Sequence, residues 1–251
     1  MSALATGLAV FGCVFGGALL GLGLRSLVPD HHRSADSKDV VRLGMGLLAT
    51  MAALVLSLLI ASAKSSYDTQ SNGLAQLAGN VTFLDRVLAH YGPEAGEARD
   101  LLRRSVAAVL DQLSSGSGAA SADLNPAATG PEGLYEKIQA LSPQNDMQRA
   151  LRGDALHILL DIGRTRALLL AQAGSSIPWP FLGILVFWVT AIFVSFGFFA
   201  PSNATVVATL FVCAVSVSAA IFLILELDEP FQGLLRISDA PLRSALAGLS
   251  R

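Results

Sequence analysis

Thr50, Ser57, Lys64 and Ser71 stand seven residues apart, and the first two sit in a run, Leu43 to Ala63, that carries no charge. A step of seven returns to nearly the same side of an α-helix. Polar side chains in lipid usually turn toward the bundle interior or toward a water-filled path. Hydroxyls and an ammonium on one side would therefore line such a path, and Lys64 would draw anions toward it. Leu54, Leu58 and Ala61 would border its constriction. The alternative is local: the hydroxyls bond back to carbonyls of their own helix, and Lys64 snorkels to the membrane surface. Both readings stay open.

A second group closes the stretch 225-LELDEPFQGLLRIS-238, in which Glu226, Asp228 and Glu229 follow a segment uncharged from Ala167 to Leu225. Carboxylates are hard oxygen ligands that calcium or sodium would accept, so the three form a candidate cation or gating site. The plainer reading has them meeting water where a helix leaves lipid. Pro230 then turns the chain, and Phe231, Leu234, Leu235 and Ile237 face the interface as a short amphipathic segment.

Other chemistry is scarce. Phosphate-loop, zinc-protease and nucleophile-elbow motifs are all missing from the sequence, so no enzyme is expected. His31-His32 reads as a surface pair, and His157 as a packed or capped histidine. Cys13 and Cys213 lie inside apolar runs and read as buried free thiols. No cofactor is expected, calcium being the one candidate. A net charge of −2 gives no general attraction to nucleic acid.

The elements that must hold these residues are membrane helices. Hydrophobic residues make up 53% of the chain and charged ones 14%, against roughly 25% charged in soluble domains. A span needs about 20 apolar residues. Four are expected, at about 3–24, 42–63, 179–199 and 204–225, with 200-APSN-203 separating the last two. Gly12 and Gly16, and likewise Gly17 and Gly21, have the spacing that lets helices pack closely in lipid. Trp179 fits the headgroup belt, and Trp188 lies deeper, in packing. The domain organisation is then 1–63 with the first two spans, 64–177 helical and polar, 178–225 with the last two spans, and 226–251 as an acidic boundary and tail.

In the polar middle, Leu74, Leu77, Val81, Leu84, Leu88 and Tyr91 form a seam that Gly92-Pro93 ends. No strong breaker separates the second span from this seam. Residues 42–90 could be one helix on the order of 70 Å long at ~1.5 Å per residue, with Gly73 and Gly79 as its weak points. A helix over 94–113 follows, with Ala98, Leu102, Val109 and Leu113 on one face. Residues 114–133 read as a flexible loop and 134–141 as a short helix. Ser142 and Pro143 then cap a helix carrying Met147, Leu151, Ile158, Ile162 and Leu169. Orientation is a near tie: Lys64, Arg164, Arg166, Arg236 and Arg243 flank spans on one side, and Arg25, Arg33, Lys38 and Arg42 on the other.

The runs 178-PWPFLGILVFWVTAIFVSFGFFAPSNATVV-207 and 221-IFLILELDEPFQGLLRIS-238 resemble a bacterial bestrophin-like family of integral membrane proteins whose function is unknown, distantly similar to the bestrophin ion channels. The resemblance implies an all-α membrane protein with four transmembrane helices. It places a helical cytosolic region between helices 2 and 3 and implies a homo-oligomer, pentameric, around a pore lined by helix 2. Its partners would be the lipid bilayer, other copies of itself and inorganic ions. The termini and the middle region would be cytosolic, in a bacterial inner membrane. Pro230-Phe231-Gln232-Gly233 looks like the segment that helps clasp calcium in animal bestrophins, with one residue inserted. The dense acidic run and the aromatic neck of those channels are missing, so ion selectivity and gating do not carry over. A non-conducting scaffold or sensor, whose helices at 65–173 bind a partner, is the alternative.

Overall fold

A computed structural model of the chain describes residues 3–25, 35–114, 131–172, 179–201, 203–228 and 235–249. Among them there is no strand. The helices are α1 (Ala3–Leu24), α2 (Ala35–Tyr91), α3 (Gly96–Ser114), α4 (Pro131–Gln139), α5 (Asp146–Ala171), α6 (Trp179–Phe199), α7 (Ala204–Asp228) and α8 (Ala240–Gly248). Four of them, α1, α2, α6 and α7, are long and apolar enough to cross a membrane. The contacts divide the chain into two compact units, residues 1–66 with 175–228, and residues 67–174 with 229–251.

In the first unit α1 packs against α6 and α7. The α1–α6 crossing depends on glycine. A Cβ on Gly21 would collide with the backbone at Val194 and Phe198, and one on Gly197 with the backbone at Ala18 and Leu22. Lipid gives no hydrophobic drive between helices, so close backbone approach of this kind is what holds them together there. Gly17 belongs to the same contact, against Thr190 and Val194. Gly12 and Gly16, expected to pack as well, have nothing within 4 Å, because they face away from both neighbours. Toward α7, Phe11 and Phe15 each meet the Phe211 ring edge-on, at 5.6 and 5.4 Å between centroids. The Arg25 guanidinium donates to the Ala200 carbonyl just past the end of α6, where a cation suits the helix dipole. Asn203 caps α7, its Oδ1 accepting from the Val206 amide at 2.9 Å. The break expected at 200–203 is therefore a helix start. Trp188 packs against the core of this unit and Trp179 is exposed.

The second unit closes around the expected seam. Leu74, Val81, Leu84, Leu88 and Tyr91 are all buried, with Leu77 packed beside them. α2 runs unbroken through Gly73 and Gly79. Gly73 is where α5 comes close, since a Cβ there would meet Leu169 Cδ2 at 2.8 Å. Gly92 ends α2 with a φ of 127°, a conformation that favours glycine. A short turn of 3-10 helix over Pro93–Ala95 leads into α3. The buried face of α3 is Ala98, Leu101, Leu102 and Val106, and Val109 packs beside it. Asp85, itself buried, accepts from Arg99 Nε at 2.7 Å and Nη2 at 3.0 Å, a bidentate pair joining α2 to α3.

Several expectations need correction here. α5 is capped by Asn145, whose side chain accepts from the Gln148 amide, and not by Ser142. Gln148 explains the shift: its Oε1 accepts from the Gln144 amide and its Nε2 donates to the Tyr91 carbonyl. One side chain thus fixes both the start of α5 and its place beside the end of α2. Met147, in the first turn, is 73% exposed and lies off the core face. The His157 ring is exposed, 3.5 Å from Asp161 on the surface of α5. Cys13 and Cys213 are free but exposed, on outer faces of α1 and α7. Residues 131–133, placed in the loop by the sequence, belong to α4. His31, His32 and most of the 114–133 loop lie outside the described residues.

Candidate functional site

Among the described residues, 39–64 of α2 are the most exposed stretch of membrane helix. Only 11% of its most apolar window is buried, against 33% in α1, 39% in α6 and 28% in α7. Ala52, Leu59 and Ala63 make its contact with the rest of the unit. The expected face points away from that contact. Thr50, Leu54, Ser57, Leu58, Ala61 and Lys64 are all exposed in the single chain, Leu54 at 68% and Leu58 at 63%. The structure thus brings every expected residue to one open side of α2.

The hydroxyls on that side are satisfied locally. Thr50 Oγ1 donates to the Gly46 carbonyl at 2.6 Å and Ser57 Oγ to the Ala53 carbonyl at 2.8 Å. Back-bonding of this kind uses the hydroxyl hydrogen and leaves the oxygen lone pairs facing outward. In lipid that satisfies the donor. Beside water, the same oxygen still accepts. Lys64 has an interaction partner within the chain despite its exposure, and Ser71, the last of the series, is half-buried in the second unit.

The acidic end of α7 differs from its expected form. Glu226 and Asp228 do not meet water at a helix exit. Both belong to α7, of which Asp228 is the last residue, and both are 6% exposed. Neither lacks a partner, as burial of a carboxylate demands. Glu229, Pro230, Phe231, Gln232, Gly233 and Leu234 lie outside the described residues, and with them the looked-for clasp segment. Among the described residues no three His, Cys, Asp or Glu side chains are grouped to hold a metal ion.

A model of the bestrophin-like domain matches residues 12–242. The chain belongs to the bestrophin-like family. That match runs from the middle of α1 to the start of α8, so it covers most of both units of this bestrophin-like chain. No curated protein and no solved structure matches the chain. With four apolar helices of spanning length, it is an integral membrane protein.

Sequence reasoning missed two buried hydroxyls within the spans. Thr190 Oγ1 and Ser218 Oγ are sealed from solvent with no hydrogen-bond partner. Unlike Thr50 and Ser57, they have no bond to their own helix. A usable signal was present for Thr190: it lies one turn from Val194, on the face that the Gly17 and Gly21 spacing selects.

Proposed function

We propose that this chain is one subunit of an oligomeric, bestrophin-type ion channel, a pentamer, in which the exposed side of α2 lines the pathway. A single observation carries the reading. The helix that the family relationship would place innermost is the one whose apolar window a single chain leaves most open, and its open side holds the regularly spaced Thr50, Ser57 and Lys64. Other copies supply the missing cover. Leu54, Leu58 and Ala61 form the narrow apolar stretch, and Lys64 sets an anion preference at one end. The termini and the second unit are cytosolic, in a bacterial inner membrane, and no catalytic step is involved. Calcium has no part in the proposal.

The test is conduction by the purified protein in planar bilayers. Currents are expected, with anion preference reduced or reversed by Lys64→Glu. Silence across voltage and pH, from protein of verified fold, overturns the reading.

A second reading rests on a different observation. Phe83, Met147, Leu160 and Leu168 are exposed on the second unit, and the Thr50 and Ser57 donors are already satisfied. The spans would then anchor a scaffold or sensor whose helices bind a partner. Crosslinking in native membranes would recover a second protein in fixed ratio, and recovery of this chain alone would remove the reading.

A further inference from the structure

In the second unit α3 and α8 pack together, and beside their contact is a pocket of about 480 Å³ lined by Arg103, Arg104, Ala107, Arg243, Leu246 and Ala247. It is a shallow groove, largely open to solvent. The two walls come from segments far apart in sequence, and each contributes arginine. The floor is aliphatic: Ala107, Leu246 and Ala247.

The three guanidinium groups are held differently. Arg103 Nη2 lies 3.1 Å from Asp100 Oδ1. Arg243 reaches Asp239 Oδ2 through Nη2 at 2.7 Å and Nε at 2.8 Å, and that hydrogen bond raises its pKa above the ordinary arginine value. Each of these partners is on its own helix or at its cap, so each pair orients its arginine without bridging the pocket. Arg104 differs. Its Nε donates to the Asp100 carbonyl at 3.3 Å, and among the described residues it has no carboxylate partner. Its terminal nitrogens keep their donors. Three cations meet two carboxylates, so the rim carries excess positive charge over an apolar floor.

Arginine's planar fork matches phosphate oxygens two at a time, with more donors than lysine provides. We propose that this pocket binds a small organic phosphate, with its phosphate on Arg104 and the free donors of Arg103 and Arg243, and its apolar body on Ala107 and Leu246. The ligand bridges α3 and α8. It therefore steadies α8, whose Leu242 and Ala245 are buried in the core of this unit. The inference goes beyond ion conduction and does not depend on it.

The test uses the full chain in neutral detergent, with 1-naphthyl phosphate as probe, inorganic phosphate as the charge alone and 1-naphthol as the apolar body alone. Calorimetry should show saturable binding of naphthyl phosphate, weaker binding of inorganic phosphate and none of naphthol. Arg104→Ala should weaken it by about tenfold or more, the scale of a lost charged hydrogen bond, and Arg104→Lys should restore it only in part. Hydrogen exchange in α8 should slow when the probe binds. Arg104 is exposed, so Arg104→Ala leaves the fold intact, as its unchanged melting temperature would verify. No binding by the wild type, equal binding by Arg104→Ala, or inorganic phosphate binding as tightly as naphthyl phosphate would each overturn the proposal. Nanodiscs with and without phosphatidic acid separate the sources. Competition by the lipid identifies a headgroup as the natural ligand, and unaltered probe binding identifies a soluble phosphate.

Discussion

Between Leu43 and Leu58, α2 leaves Leu43, Leu47, Leu54 and Leu58 uncovered, whereas between Leu74 and Tyr91 the same helix buries Leu74, Val81, Leu84, Leu88 and Tyr91. The later stretch repeats apolar residues at steps of three and four and finds its cover within the chain, on α3 and α5. The earlier stretch is apolar all round, so it has no single face to bury. It can meet lipid, where the Thr50 and Ser57 donors are satisfied by their own helix, and beside water the same oxygens can still accept. One helix thus has a half covered by its own chain and a half that a single chain leaves open.

The most disruptive way to probe this contrast is to fill a covered glycine and an uncovered one. Gly21→Leu should abolish the α1–α6 crossing and leave little folded, monodisperse protein on size exclusion, because any side chain there collides with backbone. Gly12→Leu has open space around it and should leave the fold of the single chain unchanged. Equal loss from both would break the comparison.

Next in size is a pair of leucines on α2. Leu84→Ala removes a fully buried side chain and should cost about 2–5 kcal/mol in chemical or thermal unfolding. Leu58→Ala should cost the dissociated chain no more than about 0.5 kcal/mol while shifting the protein concentration at which copies associate. A similar cost for both in the dissociated chain would mean that the open side is not open.

Smaller again is the polar tie within the covered half. Asp85→Asn weakens the bidentate pair to Arg99 and should cost roughly 1–3 kcal/mol, the scale for a hydrogen bond to a charged group. The smallest effect concerns Glu97. Its hydrogen bond from Lys137 at 2.6 Å joins α3 to α4 and holds its pKa below the ordinary 4.5. That contribution is fully present above pH 4.5 and is lost as pH falls through the depressed folded value. Protection of α4 amides against hydrogen exchange, taken relative to the intrinsic rate at each pH, should therefore fall in acid, and Lys137→Ala should remove that acid dependence.

The covered half was the more legible of the two in the sequence. Period and breakers fixed the seam from Leu74 to Tyr91, because burying one face forces a repeat. The spans were legible by length and lack of charge. What period cannot express is which side of an all-apolar helix is covered, hence the errors at Gly12, Gly16, Cys13 and Cys213. The side bearing Thr50 and Ser57 was readable only because polar residues marked it. Glu226 and Asp228 misled because charge at the end of an apolar run suggests a water boundary, while α7 runs on past Leu225 to Asp228 with both carboxylates buried and partnered. The start of α5 was misplaced because Gln148 makes its bonds to Gln144 and Tyr91 through contacts that no local pattern announces.

The open side of α2 is tested most directly by one cysteine. Ser57→Cys in a Cys13→Ala/Cys213→Ala background, kept in native membranes, should react with a charged, membrane-impermeant thiol reagent and should form a disulfide-linked dimer under mild oxidation. Both results require a side chain that meets water and a second copy together. A Ser57→Cys thiol that resists the reagent and never crosslinks, while a cysteine at Leu74 in the covered half behaves no differently, would contradict the account.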